Sequence, residues 1–377
     1  MKVGIMSMQR VINNGSLLQA YGLKKVLEGL GNQVEFVDFK IGDLDLVNDW
    51  RSKLNKRSLY LYIIMMFLKK FLKLDFKDWK LSVSNAKFAH NFSSCYLKSL
   101  ELTENPNYSP QVDILIFGSD EVFNTVQYVD LYNQYVWELY GSNNNAKKLI
   151  SYAASFGHTT LEGLKKHNMV GWAAFYLNCF ENISVRDKNS YEIIKELTGK
   201  DAIINIDPVL LYDFHDIEIN KPELENYILV YAYPGRINRY EEIKTIKSFA
   251  KKYNKKLVCV NMMQTWCDET IYVHPFELLS YFKYADYVVT DTFHGAVISV
   301  KYNRPFMQFI RNSNLYSNNQ KVGYFLHCFG LEKRIIRDLS EFQNIMTEPI
   351  DYENVNKILE REREISMEYL QQALVIN

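Results

Sequence analysis

Apolar residues recur along this chain in short continuous runs, separated by longer stretches in which they return every three or four positions. The runs KVGIMS (2–7), QVEFVDF (33–39), VDILIFGS (112–119), KLISYAASFG (148–157), NISVRD (182–187) and AIINIDP (202–208) read as strands buried on both faces. Between the first two, Leu17, Leu18, Tyr21, Leu23 and Leu27 keep near i, i+3, i+4 spacing and Gly31 supplies a stop signal, which predicts a helix and a β-α-β unit. Gly15 and Ser16 open that helix. A polar, acidic stretch at 212–226 interrupts the pattern and reads as an interdomain linker. The rhythm restarts with YILVYAY (227–233), KLVCVNM (256–262), ADYVVTDT (285–292) and PFMQFI (305–310), with helices expected after the first, from Pro275 and from His294. A charged helical tail runs from about Tyr352 to Leu374.

This pattern predicts an α/β protein of two Rossmann-like domains. The expected bounds are 1–215, with a helical excursion at 45–110, then 216–345, then a helical tail at 346–377. Ligands of such sheets bind beyond the carboxyl ends of the strands, so the interdomain cleft is the expected site.

Composition narrows the chemistry. A chain of 377 residues exceeds one ordinary core. Lys plus Arg and Asp plus Glu are both 44, which argues against nucleic acid and requires any anion site to be local. Five scattered cysteines without a Cys-x-x-Cys pair read as reduced thiols of a cytoplasmic protein. Met1 leads directly into KVGIMS with no signal-peptide pattern, and the uncharged apolar run at 59–68 is about half of what a bilayer requires. Lys and Arg flank aromatic and aliphatic residues at 52–80, a composition found in helices lying at a membrane interface and equally in a helix packed on the first domain. Cys259, Cys267 and His274 fit no usual zinc spacing, so no metal is expected.

Four stretches carry candidate chemistry. In NNGSLLQAY (13–21) a glycine turn exposes helix N-terminal N–H groups suited to an anion or a sugar oxygen, and the same residues can serve only as turn and cap. In DILIFGSDEVFN (113–124) Asp120 sits at a strand end, as a proton acceptor or as a cap. Arg186 follows a strand directly, where a guanidinium can clamp phosphate or carboxylate or pair with Asp187. In TDTFHGAVIS (290–299) His294 begins a helix, as an acid–base group or as a satisfied packing residue.

Taken in order, NNGSLLQAYGLKKVLEGLGNQVEFVDF (13–39), VDILIFGSDEVFN (112–124), ISYAASFG (150–157), ISVRDKNSYEIIKELTGK (183–200), IDPVLL (206–211), YVVTDTFHGAVISVKYNRPF (287–306) and GLEKRI (330–335) resemble the polysaccharide pyruvyl transferase family. The resemblance implies a glycosyltransferase-B-like arrangement with an interdomain cleft. It also implies transfer of the enolpyruvyl-derived group of phosphoenolpyruvate to two hydroxyls of a sugar, giving a cyclic ketal on a surface-polysaccharide precursor, without a cofactor. The implied partners are phosphoenolpyruvate and a lipid-linked or nucleotide-linked saccharide, with peripheral membrane contact through 52–80.

The resemblance implies that His294 donates to the leaving phosphate or moves a proton and that Arg186 clamps phosphoenolpyruvate, with Asp120 as the second catalytic candidate, on the acceptor side. Asn14, Gly15 and Ser16 fall on the acceptor side, with Ser119, Thr292, Phe293 and Gly295 as neighbouring contacts. One position departs from the family: Thr292 stands where an arginine is expected two places before the histidine. Arg304, Arg311, Lys321 and Arg236 are the candidates to replace that cation. Two alternatives on the same fold are a glycosyltransferase with a nucleotide-sugar donor and a non-catalytic sugar-binding component of capsule assembly.

Overall fold

The computed structural model describes residues 1–40 and 97–376, apart from 104, 109, 133, 218, 314, 315 and 318. The stretch at 52–80 lies outside the described residues, as does most of the expected excursion at 45–110.

The first domain runs β1 (Lys2–Met6), α1 (Asn14–Gly29), β2 (Gln33–Phe36), β3 (Ile114–Asp120), α2 (Thr125–Tyr132), β4 (Lys148–Ala154), α3 (Leu161–Lys166), α4 (Val170–Asn178), β5 (Ser184–Val185), α5 (Lys188–Thr198), β6 (Ile203–Ile204) and α6 (Pro208–Leu211). Its six strands are ordered β2-β1-β3-β4-β5-β6 and are parallel throughout. Every residue of β3 and β4 is buried, which accounts for their continuous apolar runs: helices cover both faces.

The second domain runs β7 (Tyr227–Tyr231), α7 (Tyr240–Lys252), β8 (Lys256–Val260), β9 (Glu269–Ile271), α8 (Glu277–Tyr284), β10 (Tyr287–Thr290), α9 (Phe293–Lys301) and β11 (Phe306–Phe309). A short hairpin of β12 (Asn312–Ser313) and β13 (Tyr316–Ser317), α10 (Asn319–Cys328), β14 (Ile335–Ile336), α11 (Phe342–Thr347) and α12 (Tyr352–Ala373) complete the chain. The sheet is again parallel, ordered β14-β11-β10-β7-β8-β9.

Both orders contain a point at which successive crossovers leave in opposite directions. In the first sheet it lies between β1 and β3, and in the second between β7 and β10. Parallel sheets open a crevice at such points, beyond the carboxyl ends of the strands. Here the two crevices face each other, giving the glycosyltransferase-B-like arrangement with a cleft between two Rossmann-like domains.

The domains are tied together at the base of the cleft. The 212–226 stretch is more than an exposed tether, because Tyr212 and Phe214 are buried and Asp216 accepts a 2.6 Å hydrogen bond from the Tyr21 hydroxyl on α1. The last helix, α12, returns to the first domain: Tyr369 Oη donates to the Ser151 carbonyl (2.7 Å), Arg363 Nε to the Leu210 carbonyl (2.7 Å), and Ser366 Oγ accepts from Ile206 N (3.2 Å). Among the described residues no helix is long and apolar enough to cross a membrane.

Candidate active site

The facing crevices enclose a cavity of about 420 Å³. From the first domain it is lined by the segment after β1, by the start of α1, and by Asp120 and Glu121 at the end of β3. From the second come Tyr231 and Tyr233 at the end of β7, Met262 after β8, and Thr292, Phe293 and His294 after β10.

The N-terminus of α1 is built into the wall. Asn13 Oδ1 caps it by accepting from Gly15 N (2.8 Å) and Ser16 N (3.3 Å), while Asn13 Nδ2 donates across the cleft to Tyr233 Oη (2.6 Å). Ser16 Oγ then donates to Asp120 Oδ2 at 2.7 Å. Asp120 holds this position with φ of +77°, a left-handed conformation that Asp adopts more readily than most residues.

His294 occupies the first turn of α9. Thr292 Oγ1 caps that helix by accepting from Gly295 N at 2.9 Å. Gly295 is needed because a Cβ there would stand 2.0 Å from Thr290 Oγ1. The imidazole lies against α1 of the other domain: a Cβ on Gly15 would fall 2.1 Å from His294 Nδ1. On its other side Nε2 stands 3.5 Å from Asp207 Oδ2. Asp207 also caps α6 through Val209 N (3.0 Å) and accepts from Arg186 Nη1 at 2.6 Å. Arg186 Nη2 reaches Asp120 Oδ1 at 3.4 Å, and its guanidinium stacks 4.2 Å from the Phe293 ring centre. One buried cation thus orients both Asp207, beside His294, and Asp120, on the cavity wall. Burial pushes the Asp207 carboxyl up, but His294 and Arg186 outweigh burial and hold it at about 2.

Two cations line the cavity among its described residues. Lys321 at the start of α10 pairs with Glu121, and it outweighs burial to hold that carboxyl at about 2. Arg236 stacks 4.1 Å from the Tyr233 ring centre and stands 3.9 Å from Asp291 Oδ2. Asp291 is fully buried, and burial raises its carboxyl to about 6 in spite of Arg236.

The sequence pattern of the family described as Polysaccharide pyruvyl transferase matches residues 13–314. The chain belongs to that family. Comparison with the curated proteins gives no match. Among solved structures, the UDP-GlcNAc 2-epimerase from Neisseria meningitidis bound to UDP-GlcNAc superposes with a TM-score of 0.49 at 10% identity, covering 99% of this chain and 100% of that one. The spinosyn rhamnosyltransferase superposes with a TM-score of 0.46 at 9% identity, covering 99% of each. Similarity that slight says nothing about substrate.

The pyruvyl transferase fold brings His294, Asp120, Ser16, Thr292, Phe293, Lys321 and Arg236 together on the cavity wall and places Arg186, Ser119, Arg304, Arg311 and Asn14 elsewhere. Arg186 is not a wall residue: its side chain is 3% exposed and engaged with Asp207 and Asp120, so it supports the cleft from beneath instead of clamping a ligand in it. The pairing with Asp187 does not form either, because Asp187 caps α5 and accepts from Ser155 Oγ at 2.6 Å. Ser119 is fully buried and donates to the Ala153 carbonyl at 3.0 Å, which removes it from ligand contact. Arg304 donates to the Tyr302 and Ala285 carbonyls; Ala285 precedes β10, so this arginine lies at the amino edge of the sheet, opposite the cleft. Of the four cations considered, Lys321 and Arg236 line the cavity, whereas Arg311 pairs with Glu242 outside it. Asn14 is buried and accepts from Asn261 Nδ2 of the other domain at 3.2 Å.

Asp207, Glu121 and Tyr233 are site residues that pattern reading did not single out. The signal for Asp207 was present in INIDPV, where a carboxylate at a strand end precedes a proline that opens a helix. Cys259 Sγ accepts from Gln264 N (3.2 Å), and His274 Nε2 lies 3.0 Å from Ser99 Oγ. Among the described residues no three His, Cys, Asp or Glu side chains are placed to share an ion.

The contact between Gly15 and His294 makes a sharp prediction. Gly15→Ala inserts a methyl group into the imidazole, so the ring must move, and a displacement of about 1 Å costs about 10²-fold in turnover. Steady-state kinetics of the variant beside its melting curve tests this; full turnover with unchanged stability would mean that the ring is not held there.

Proposed function

We propose that the cleft transfers the enolpyruvyl-derived group of phosphoenolpyruvate to two hydroxyls of a saccharide of a surface-polysaccharide precursor, closing a cyclic pyruvate ketal. The observation that carries this reading is the placement of His294 on the wall of a cavity that Lys321 and Arg236 also line, with the buried Asp207 carboxylate 3.5 Å from its Nε2, in a chain of zero net charge. Family membership supports the transferase class.

The chemistry needs a proton carrier, an acceptor for hydroxyl protons and positive charge for a phosphate and a carboxylate. Protonation of the methylene carbon creates an oxocarbenium-like centre at the adjoining carbon, which one sugar hydroxyl attacks. The bond from that carbon to the phosphate oxygen then breaks, and the second hydroxyl closes the ketal. The two hydroxyl protons end on the new methyl group and on the phosphate, so the reaction balances with no oxidant and no cofactor.

In this reading His294 carries the proton, with Asp207 fixing its ring as a third group orients a base. Asp120, held by Ser16 and Arg186, accepts from the attacking hydroxyl. Lys321 and Arg236 bind the donor's anionic groups and take the part of the cation that Thr292 does not supply.

The test is incubation with phosphoenolpyruvate and a panel of lipid-linked and nucleotide-linked saccharides, following inorganic phosphate and acceptor mass. Phosphate release with acceptor gain of pyruvate less water is expected. Lys321→Met is expected to raise KM for phosphoenolpyruvate about tenfold, the loss of one charge-assisted contact. Release of a nucleoside diphosphate would replace this reading by glycosyl transfer, and no turnover with any acceptor by a sugar-binding role.

A further inference from the structure

A second groove of about 660 Å³ leaves the cleft at Arg236, which lines both. It follows the carboxyl edge of the second sheet outward past the ends of β11 and β14, where ligands of open parallel sheets bind. Four arginines line it: Arg236 and Arg239 after β7, Arg311 after β11 and Arg337 after β14. Its acids are Glu241 and Glu242 at the start of α7. Glu242 is taken up by a two-point pair with Arg311 (2.8 and 3.1 Å), and Glu241 stands 3.7 Å from Lys244. Arg311 is further fixed with its guanidinium 4.6 Å from the Phe309 ring centre. The groove therefore keeps a positive surplus in a chain of zero net charge, and Arg239 and Arg337 stand at its exposed side. Tyr240, 73% exposed, adds a flat apolar surface at its rim.

A row of guanidinium groups suits an extended polyanion, since each presents a planar fork to phosphate oxygens. The donor's phosphate is already accounted for by the cleft. With Arg236 holding the donor's anion at the junction, an anion lying outward of it, at Arg239 and Arg337, fits the molecule whose sugar enters the cleft. We infer that this groove holds the diphosphate bridge of an activated saccharide acceptor, so that the hydroxyls to be modified lie beside Asp120 and His294 while the carrier leaves along the sheet edge. The inference rests on the transfer reading for the identity of the acceptor. The diphosphate chemistry is common to nucleoside diphosphate sugars and polyprenyl diphosphate sugars.

Binding to the full chain tests it without requiring turnover. Calorimetry with inorganic pyrophosphate is expected to show one site, and the double variant Arg239→Ala/Arg337→Ala is expected to weaken it about tenfold or more. Both residues are exposed, and matching melting curves would show that the variant is folded. Lys321→Met is expected to leave pyrophosphate affinity unchanged while weakening phosphoenolpyruvate. Uridine diphosphate and farnesyl diphosphate separate the two sources: the one that binds more tightly than pyrophosphate names the carrier, and equal affinity for all three assigns the diphosphate alone. Pyrophosphate binding that survives the double arginine variant, or that is lost in Lys321→Met, would overturn the inference. Intact pyrophosphate binding with no phosphate released from phosphoenolpyruvate would instead remove only the transfer reading.

Discussion

Arg186→Met is expected to lower the free energy of unfolding by about 3–5 kcal/mol at neutral pH, because it strands two carboxylates beneath the cleft without their shared cation. The side chain is 3% exposed and bonds Asp207 at 2.6 Å and Asp120 at 3.4 Å. The sign of the pH dependence checks the cause. Asp207 is held at about 2, below its ordinary 3.8, so its ionised form contributes stability above the ordinary value and loses it as pH falls through about 2. Without Arg186 the carboxyl rises, the variant takes up its proton at higher pH, and its deficit relative to the parent shrinks on acidification. Urea unfolding at pH 7 and pH 4 measures both quantities. A deficit below about 1 kcal/mol, the size of a surface pair, would show that Arg186 is not a buried keystone. In kinetics, a positioning residue is expected to depress kcat more than the KM for phosphoenolpyruvate, and the reverse pattern would restore Arg186 to the clamp.

His294→Gln is expected to slow phosphate release from phosphoenolpyruvate by about 10²–10⁴-fold, the usual contribution of a placed proton carrier. Gln keeps a polar donor next to Asp207, 3.5 Å from the imidazole, so the fold is expected to hold with a melting point within about 2 °C of the parent, a shift equivalent to ~1 kcal/mol in a chain of this size. Single-turnover release separates chemistry from acceptor binding. A rate within tenfold of the parent would return His294 to the role of a packing residue between two helices.

How much of this was legible beforehand depended on the range of each interaction. The strands at 114–120 and 148–154 were plain because parallel strands covered on both faces must be apolar at every position. The edge strands β9 and β14 left no such trace, being three and two residues long, too short for any period to register. At the site, the cap of α1 followed from Asn13 standing before its helix, a local matter of unsatisfied N–H groups, whereas Thr292 was expected only as a ligand contact and the structure shows that it caps α9. The role of Arg186 did not follow. Its position after β5 marked it correctly as a cation at a strand end, but Asp187 next door was the nearer partner in sequence and Asp207 the partner in space.

The central strands, the two α/β domains and most candidate stretches of the cleft were determined by the sequence alone, because hydrophobic period, turn chemistry and helix caps act over a few residues, whereas the order of the strands in each sheet was not. Tertiary structure decided which candidates meet. It set His294 against Gly15, drew Asp207 and Asp120 to one buried arginine, and chose Lys321 and Arg236 over Arg304 as the cations of the cleft. Those outcomes depend on which carboxyl strand ends face one another across the domain boundary. That is fixed by the packing of α1 and α12 against the shared core, and no local pattern encodes it.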